Sequence, residues 1–196
     1  SWAWLVNAAY PVRVDPTFGF TSIGGTAATA FNQAAYANFF ALAEAGDVSK
    51  LTTYRLNAGA DDNTKGMIWA NGSSYPTTLL GTTPATVVSG TSWVDQTFSS
   101  PVALAAGNYW LGWADDTGAS DNYYFDAGST NQRYARADSS GDYTTPRDPY
   151  PAGATGAARK VSIYATYTAR GGVTPTTSRP FPYLPGSPIF SGVYNA

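Results

Sequence analysis

The sequence predicts an all-β protein: a two-sheet, jelly-roll-like β-sandwich with an extended arm at each end. Three observations carry that expectation. Charged residues make up only 12% of the chain, about half the usual share, and Glu44 is the only glutamate while Thr, Tyr, Trp and Gly recur throughout. Such a composition suits pleated, half-buried strands better than helices. The middle of the chain breaks into short alternating apolar segments separated by Gly, Asn, Asp and Ser. Both ends combine prolines with large apolar residues.

Residues 1–30 read as an N-terminal arm and linker. Trp2, Trp4, Leu5, Val6 and Tyr10 are too apolar for a free tail, and Pro11 and Pro16 favour an extended path. The competing reading is a first edge strand and loop packed on the body.

The body is expected over residues 31–169, with no helical period beyond a possible turn around 31–37. Residues 39–42 form a short apolar strand closed by Glu44-Ala45-Gly46-Asp47. In 48–57, Val48, Tyr54 and Leu56 share one parity and Leu51 the other, so a bulge or a strand covered on both faces is expected. Residues 67–70 follow the turn Asp61-Asp62-Asn63 and stop at Asn71-Gly72, a strong turn signal. Further strands are read at 77–80, 85–88, 93–98, 108–114, 123–126 and 133–137. In 108–114, Tyr109, Leu111 and Trp113 alternate against Trp110. The clearest strand is 160–168, with Val161, Ile163, Ala165 and Tyr167 on one face and Lys160, Ser162, Tyr164, Thr166 and Thr168 on the other. Eight to ten strands at this spacing imply two packed sheets, because one sheet could not hide so many large apolar residues.

Residues 170–196 form the C-terminal arm. Five prolines (175, 180, 182, 185 and 188) exclude a helix or central strand, yet Phe181, Tyr183, Leu184, Ile189, Phe190 and Tyr194 are unlike a solvated tail. A polar spacer, 171–178, precedes an aromatic-proline anchor, 179–194. A stiff extended segment loses little entropy on docking, so Trp2, Trp4, Tyr10 and these six anchor residues are the candidate assembly contacts.

Composition also excludes functions. Histidine and cysteine are absent, which removes His-assisted nucleophilic catalysis, thiolate or imidazole zinc sites and disulfides. A net charge of −2 without a basic patch gives nucleic-acid binding no footing, and no run of about 20 apolar residues offers a membrane span. The only methionine is Met67, so Ser1 is expected to follow either removal of an initiator methionine or cleavage of a signal peptide.

Asp115, Asp116, Asp121 and Asp126 could supply a glycosidase carboxylate pair, and the same loop or Asp61-Asp62-Asn63 could hold calcium. The turn-rich context of both explains these residues without either role, and no cofactor is expected beyond that calcium candidate. Among Trp69, Tyr75, Trp93, Trp110, Trp113, Tyr123 and Tyr124, parity buries Trp113 and leaves Trp110 and Tyr124 as the candidate surface platform for a sugar. The Pro-rich excursion running from 133 to the final strand reads as a surface loop.

The run from Trp93 to Trp113, WVDQTFSSPVALAAGNYWLGW, resembles the "P-V-x-L-x-A-G-x-Y-W-L" module that recurs in tailed-phage structural proteins and bacterial surface proteins. Residues 67–80 resemble its hairpin and 159–167 its last strand. The resemblance covers residues 36–168 and implies a jelly-roll fold in an adhesive, carbohydrate-binding-like or structural setting. Together with the arms, it makes a non-enzymatic virion surface protein the expectation: a head-decoration, head-fibre or tail-associated subunit, homo-oligomeric and docked on its own or other capsid or tail subunits. The alternative is a secreted or cell-surface carbohydrate-binding module.

Overall fold

The computed structural model describes residues 15–30, 33–57, 62–116, 121–136 and 142–170. Among these residues there are β-strands and no helix. In chain order the strands are β1 (Thr17–Gly19), β2 (Thr26–Thr29), β3 (Ala35–Leu42), β4 (Gly46–Asn57), β5 (Asp62–Asn71), β6 (Pro76–Thr82) and β7 (Thr86–Val88). They continue with β8 (Thr91–Leu104), β9 (Gly107–Asp115), β10 (Asp121–Ala127), β11 (Arg133–Ala135), β12 (Thr155–Ala157), β13 (Arg159–Val161) and β14 (Ile163–Ala169).

Two antiparallel sheets pack face to face. One runs β1-β14-β4-β10-β13, with β8 along the other side of β4 and β2 beside β10; the second runs β12-β11-β3-β9-β5-β6, with β7 also on β5. From β3 to β5, and again from β8 to β11, successive strands alternate between the sheets, which is the jelly-roll-like layout the sequence predicts.

The alternation read from the sequence decides what lies between the sheets. Tyr36, Phe40 and Leu42 of β3, Leu111 and Trp113 of β9, and Val161, Ile163, Ala165 and Tyr167 of β13 and β14 all point into the common core. Tyr36 stacks on Trp113 with centroids 4.8 Å apart and ring planes 3° from parallel. The parity slip in β4 is a bulge: register against β8 shifts between Val48 and Lys50, so Val48 and Leu51 are both buried despite their opposite parity.

Several expectations are corrected. Of the two readings of residues 1–30, the edge strand packed on the body holds for the described residues 15–30, because β1 pairs with β14 at the sheet edge and β2 with β10. The sandwich therefore extends N-terminal of the boundary drawn at residue 30. Of the turn around 31–37, Gln33 is a turn residue with φ 52°, and β3 begins just after it, pairing with β9 from Ala35 onward. Asp62 and Asn63 begin a strand instead of making a turn, since they pair with Val88 and Val87. The strand expected over 160–168 divides at Ser162, where its partner changes from β10 to β4. Ser162 is buried there, its hydroxyl accepting the Gly24 N–H at 2.9 Å.

The Pro-rich excursion is no simple surface loop either. Its Tyr150 is buried edge-on to Trp69 and joins Met67, Trp69 and Trp110 in a smaller core on the outer face of the second sheet. The second sheet is thus apolar on both faces, as a central strand such as β9 requires when covered from both sides.

Candidate functional site

At one end of the sandwich the two acidic turns singled out in the sequence converge. Asp62 opens β5, Asp115 closes β9 and Asp121 opens β10, while Arg55 comes from the inner face of β4; all four side chains are buried. Arg55 grips Asp115 in a fork, and its Nη2 lies 3.5 Å from an Asp121 oxygen. The Arg55 guanidinium also sits 4.9 Å from the Trp113 ring centroid, and the Trp113 indole N–H donates to Asp115 at 3.2 Å.

Burial pushes the Asp121 carboxyl up to about 7, helped by its hydrogen bond with Asp62; Arg55 opposes the shift. Asp62 is raised as well, first by burial. One proton held between Asp62 and Asp121 avoids two adjacent buried anions.

These acids are the glycosidase and calcium candidates of the sequence. The glycosidase candidates Asp115 and Asp121 have no exposed surface for a substrate to reach. Asp115 and Asp121, which are also calcium candidates, face the Arg55 guanidinium, and no group of three or more acidic residues placed to hold a metal ion occurs among the described residues. Asp116 instead accepts the backbone and side-chain N–H groups of Asn63 at 2.9 and 2.7 Å, and Asp126 accepts the Gly25 N–H at 2.8 Å. Asp61 lies outside the described residues.

The outer face of the first sheet carries a second feature. Tyr124 of β10, Tyr54 of β4, Trp93 of β8 and Tyr164 of β14 form a continuous row, with successive ring centroids 5.0, 5.2 and 5.3 Å apart and every contact near edge-to-face. All four rings are only half-buried. Beside them, Lys50 pairs with Asp95 at 2.8 Å, and the Thr52 hydroxyl donates to the same carboxylate at 2.7 Å.

Tyr124 therefore stands on the surface as expected, and Trp110 does not. Trp110 points out of the second sheet as its parity requires, but the small outer core covers it to 1% exposure. Its indole N–H donates to Asn71 at 2.8 Å. Tyr54 and Tyr164 are additions that sequence reasoning passed over, although Tyr164 lay on the predicted outward parity of its strand.

A third feature is a cleft of about 570 Å³ above Phe39 and Trp110, bounded by Ser74 on one side and Ser129, Thr130, Asn131 and Gln132 on the other. The assembly candidates Trp2, Trp4, Tyr10, Phe181, Tyr183, Leu184, Ile189, Phe190 and Tyr194 lie outside the described residues.

No protein-family profile matches this chain, and no curated protein matches its sequence.

Proposed function

We infer that this chain is a non-enzymatic structural protein that assembles with other protein subunits on the surface of a tailed-phage virion. The observation that carries the reading is the row Tyr124, Tyr54, Trp93 and Tyr164. The outward face of an antiparallel sheet is ordinarily polar, and enriched Tyr and Trp at moderate exposure mark protein interfaces. Edge-to-face rings also make a ridged surface, suited to interdigitating with side chains of another subunit.

Two further points support the reading. Two of the four candidate catalytic carboxylates, Asp115 and Asp121, are buried against Arg55. The apolar residues near both ends of the sequence, Trp2, Trp4 and Tyr10 and Phe181 to Tyr194, are further contact candidates, in keeping with subunits tied to neighbours of the same or another kind. The virion is assigned on the resemblance of residues 36–168 to the tailed-phage module, and the cell-surface module remains the competing setting.

Mass spectrometry of gradient-purified particles from the parent phage tests the reading. The chain is expected among the virion proteins, and a tagged copy carrying Trp93→Ala and Tyr54→Ala is expected to fold, by circular dichroism, yet drop out of the particle. Absence of the wild-type chain from particles, or full incorporation of the variant, overturns it.

A further inference from the structure

We propose that the cleft between the β5–β6 turn and the β10–β11 turn binds a short, uncharged saccharide. It lies on the outer side of the second sheet, away from the aromatic row, so the assignment does not depend on the assembly reading.

The lining defines the ligand class. Phe39 supplies a half-exposed aromatic ring, held edge-on to Trp110 at 5.2 Å, and Trp110 closes the floor. The polar rim is made of Ser74, Ser129, Thr130, Asn131 and Gln132, and no lining residue is charged. A pyranose ring has an apolar C–H face that packs on an aromatic ring, and a girdle of hydroxyls that both donate and accept. Hydroxyl and amide side chains match that dual character. An anionic ligand would find no cation here, and a metal ion no carboxylate. A lipid chain would strip water from five polar side chains without replacing it.

The backbone is bent to make this shape. Ser74 (φ 66°) and Asn131 (φ 57°), both lining the cleft, hold left-handed conformations. Such conformations are uncommon outside glycine, and their clustering at one cleft points to function. Peptide capture by strand addition is blocked at Phe39, because Gln132 occupies both of its backbone groups: the Phe39 N–H donates to the Gln132 carbonyl at 2.9 Å and the Gln132 amide donates to the Phe39 carbonyl at 3.3 Å. Recognition here falls to side chains. The volume lies in the ~300–1,000 Å³ range of small-ligand clefts.

Calorimetric titration of the full chain with maltose, cellobiose, lactose and chitobiose, alongside a digalacturonate control, tests the site. At least one neutral disaccharide is expected to bind saturably below about 10 mM, with the anionic control at least about ten-fold weaker. Thr130→Val and Asn131→Gly sit at exposed positions, and glycine accepts the Asn131 backbone; each is expected to weaken binding about five-fold or more with an unchanged melting temperature. Phe39→Ala is expected to abolish binding, and should it unfold the protein, the two rim variants still decide. No saturation with any of the four neutral sugars, equal binding of the control, or unchanged binding in both rim variants overturns the proposal.

Discussion

Arg55 and Asp115 meet fork to fork between the two sheets, Nη1 to Oδ1 at 3.0 Å and Nη2 to Oδ2 at 2.5 Å, with neither side chain reaching solvent. The pair ties β4 of one sheet to β9 of the other across the core. Removing one partner leaves a buried charge with poor compensation, because the next carboxylate is 3.5 Å from the guanidinium. Asp115→Asn is expected to cost about 3–5 kcal/mol in urea unfolding. Replacing both partners with apolar residues, Arg55→Met with Asp115→Leu, is expected to recover most of that loss, since the desolvation penalty disappears with the charges. A single variant within about 1 kcal/mol of wild type would mean that water screens the pair.

The neighbouring carboxylates predict a pH dependence of unusual sign. Asp121 has a folded-state pKa of about 7, whereas in the unfolded chain it titrates near 4. Between these values the folded chain holds a proton that the unfolded chain has released, so stability falls as pH rises through the window and levels off above it. Asp121→Asn keeps a neutral hydrogen-bond donor facing Asp62 and removes the titration. The melting temperature of the variant relative to wild type is therefore expected to climb from pH 4.5 to 7.5. A difference that stays constant over that range would show that no proton is shared. At lower pH the wild-type trend reverses at groups such as Asp47, held below the ordinary carboxylate range by its hydrogen bond from Arg170.

Gly112 predicts a sharp steric limit. A Cβ there would stand 1.7 Å from the Tyr36 carbonyl oxygen and 2.8 Å from the Trp69 ring. The backbone cannot retreat, because β9 is paired along its length with β3 on one side and β5 on the other. Gly112→Ala is expected to cost more than about 4 kcal/mol, the scale of severe core overpacking, and to yield insoluble or partly folded chain. Gly90 makes the contrast: its φ is 62° but nothing lies within 4 Å of the added atom. Gly90→Ala is expected to cost only the backbone conformational preference, about 1–2 kcal/mol. Equal effects of the two substitutions would mean that strain at β9 is relieved by sheet distortion.

The sequence made the sandwich legible where side chains repeat with period two. Parity alone assigns Tyr109, Leu111 and Trp113 to the inner face of β9, and the slip between Val48 and Leu51 marks the β4 bulge. Parity says which face a residue takes and nothing about what covers that face. Parity thus places Trp110 at the surface, when the small outer core buries it, with Phe39 and Tyr134 packed against its ring. For residues 15–30 the edge strand and the arm stay open as competing readings, because Thr, Ala and Gly carry almost no periodic signal to place β1 and β2. The meeting of Asp62 with Asp115 and Asp121 depends on how β5, β9 and β10 align at one end, which local pattern does not encode. The cleft was hidden for a related reason: Ser74 and Asn131 read as ordinary turn residues, and only the fold brings them to one cleft with Phe39.

Tyr150 predicts how firmly the loop is held to the second sheet. Its ring stands edge-on to Trp69 at 5.0 Å, and its hydroxyl points at the carbonyl oxygens of Ala35, 2.9 Å away, and Tyr134, 3.2 Å away. Burial drives the hydroxyl pKa well up, so the group stays a donor throughout the ordinary pH range. Tyr150→Phe keeps the ring and leaves those carbonyls without this donor, an expected cost of about 1–3 kcal/mol. Tyr150→Ala also empties the space over Met67 and Trp69, and about 3–5 kcal/mol is expected. Hydrogen exchange separates local from global effects. In the Ala variant the Tyr150 amide, which donates to the Thr77 carbonyl at 2.8 Å, should exchange far faster while the amides of β4 and β14 keep their relative order of protection. Uniform acceleration in both sheets would instead make the outer core part of a single cooperative unit with the inner one.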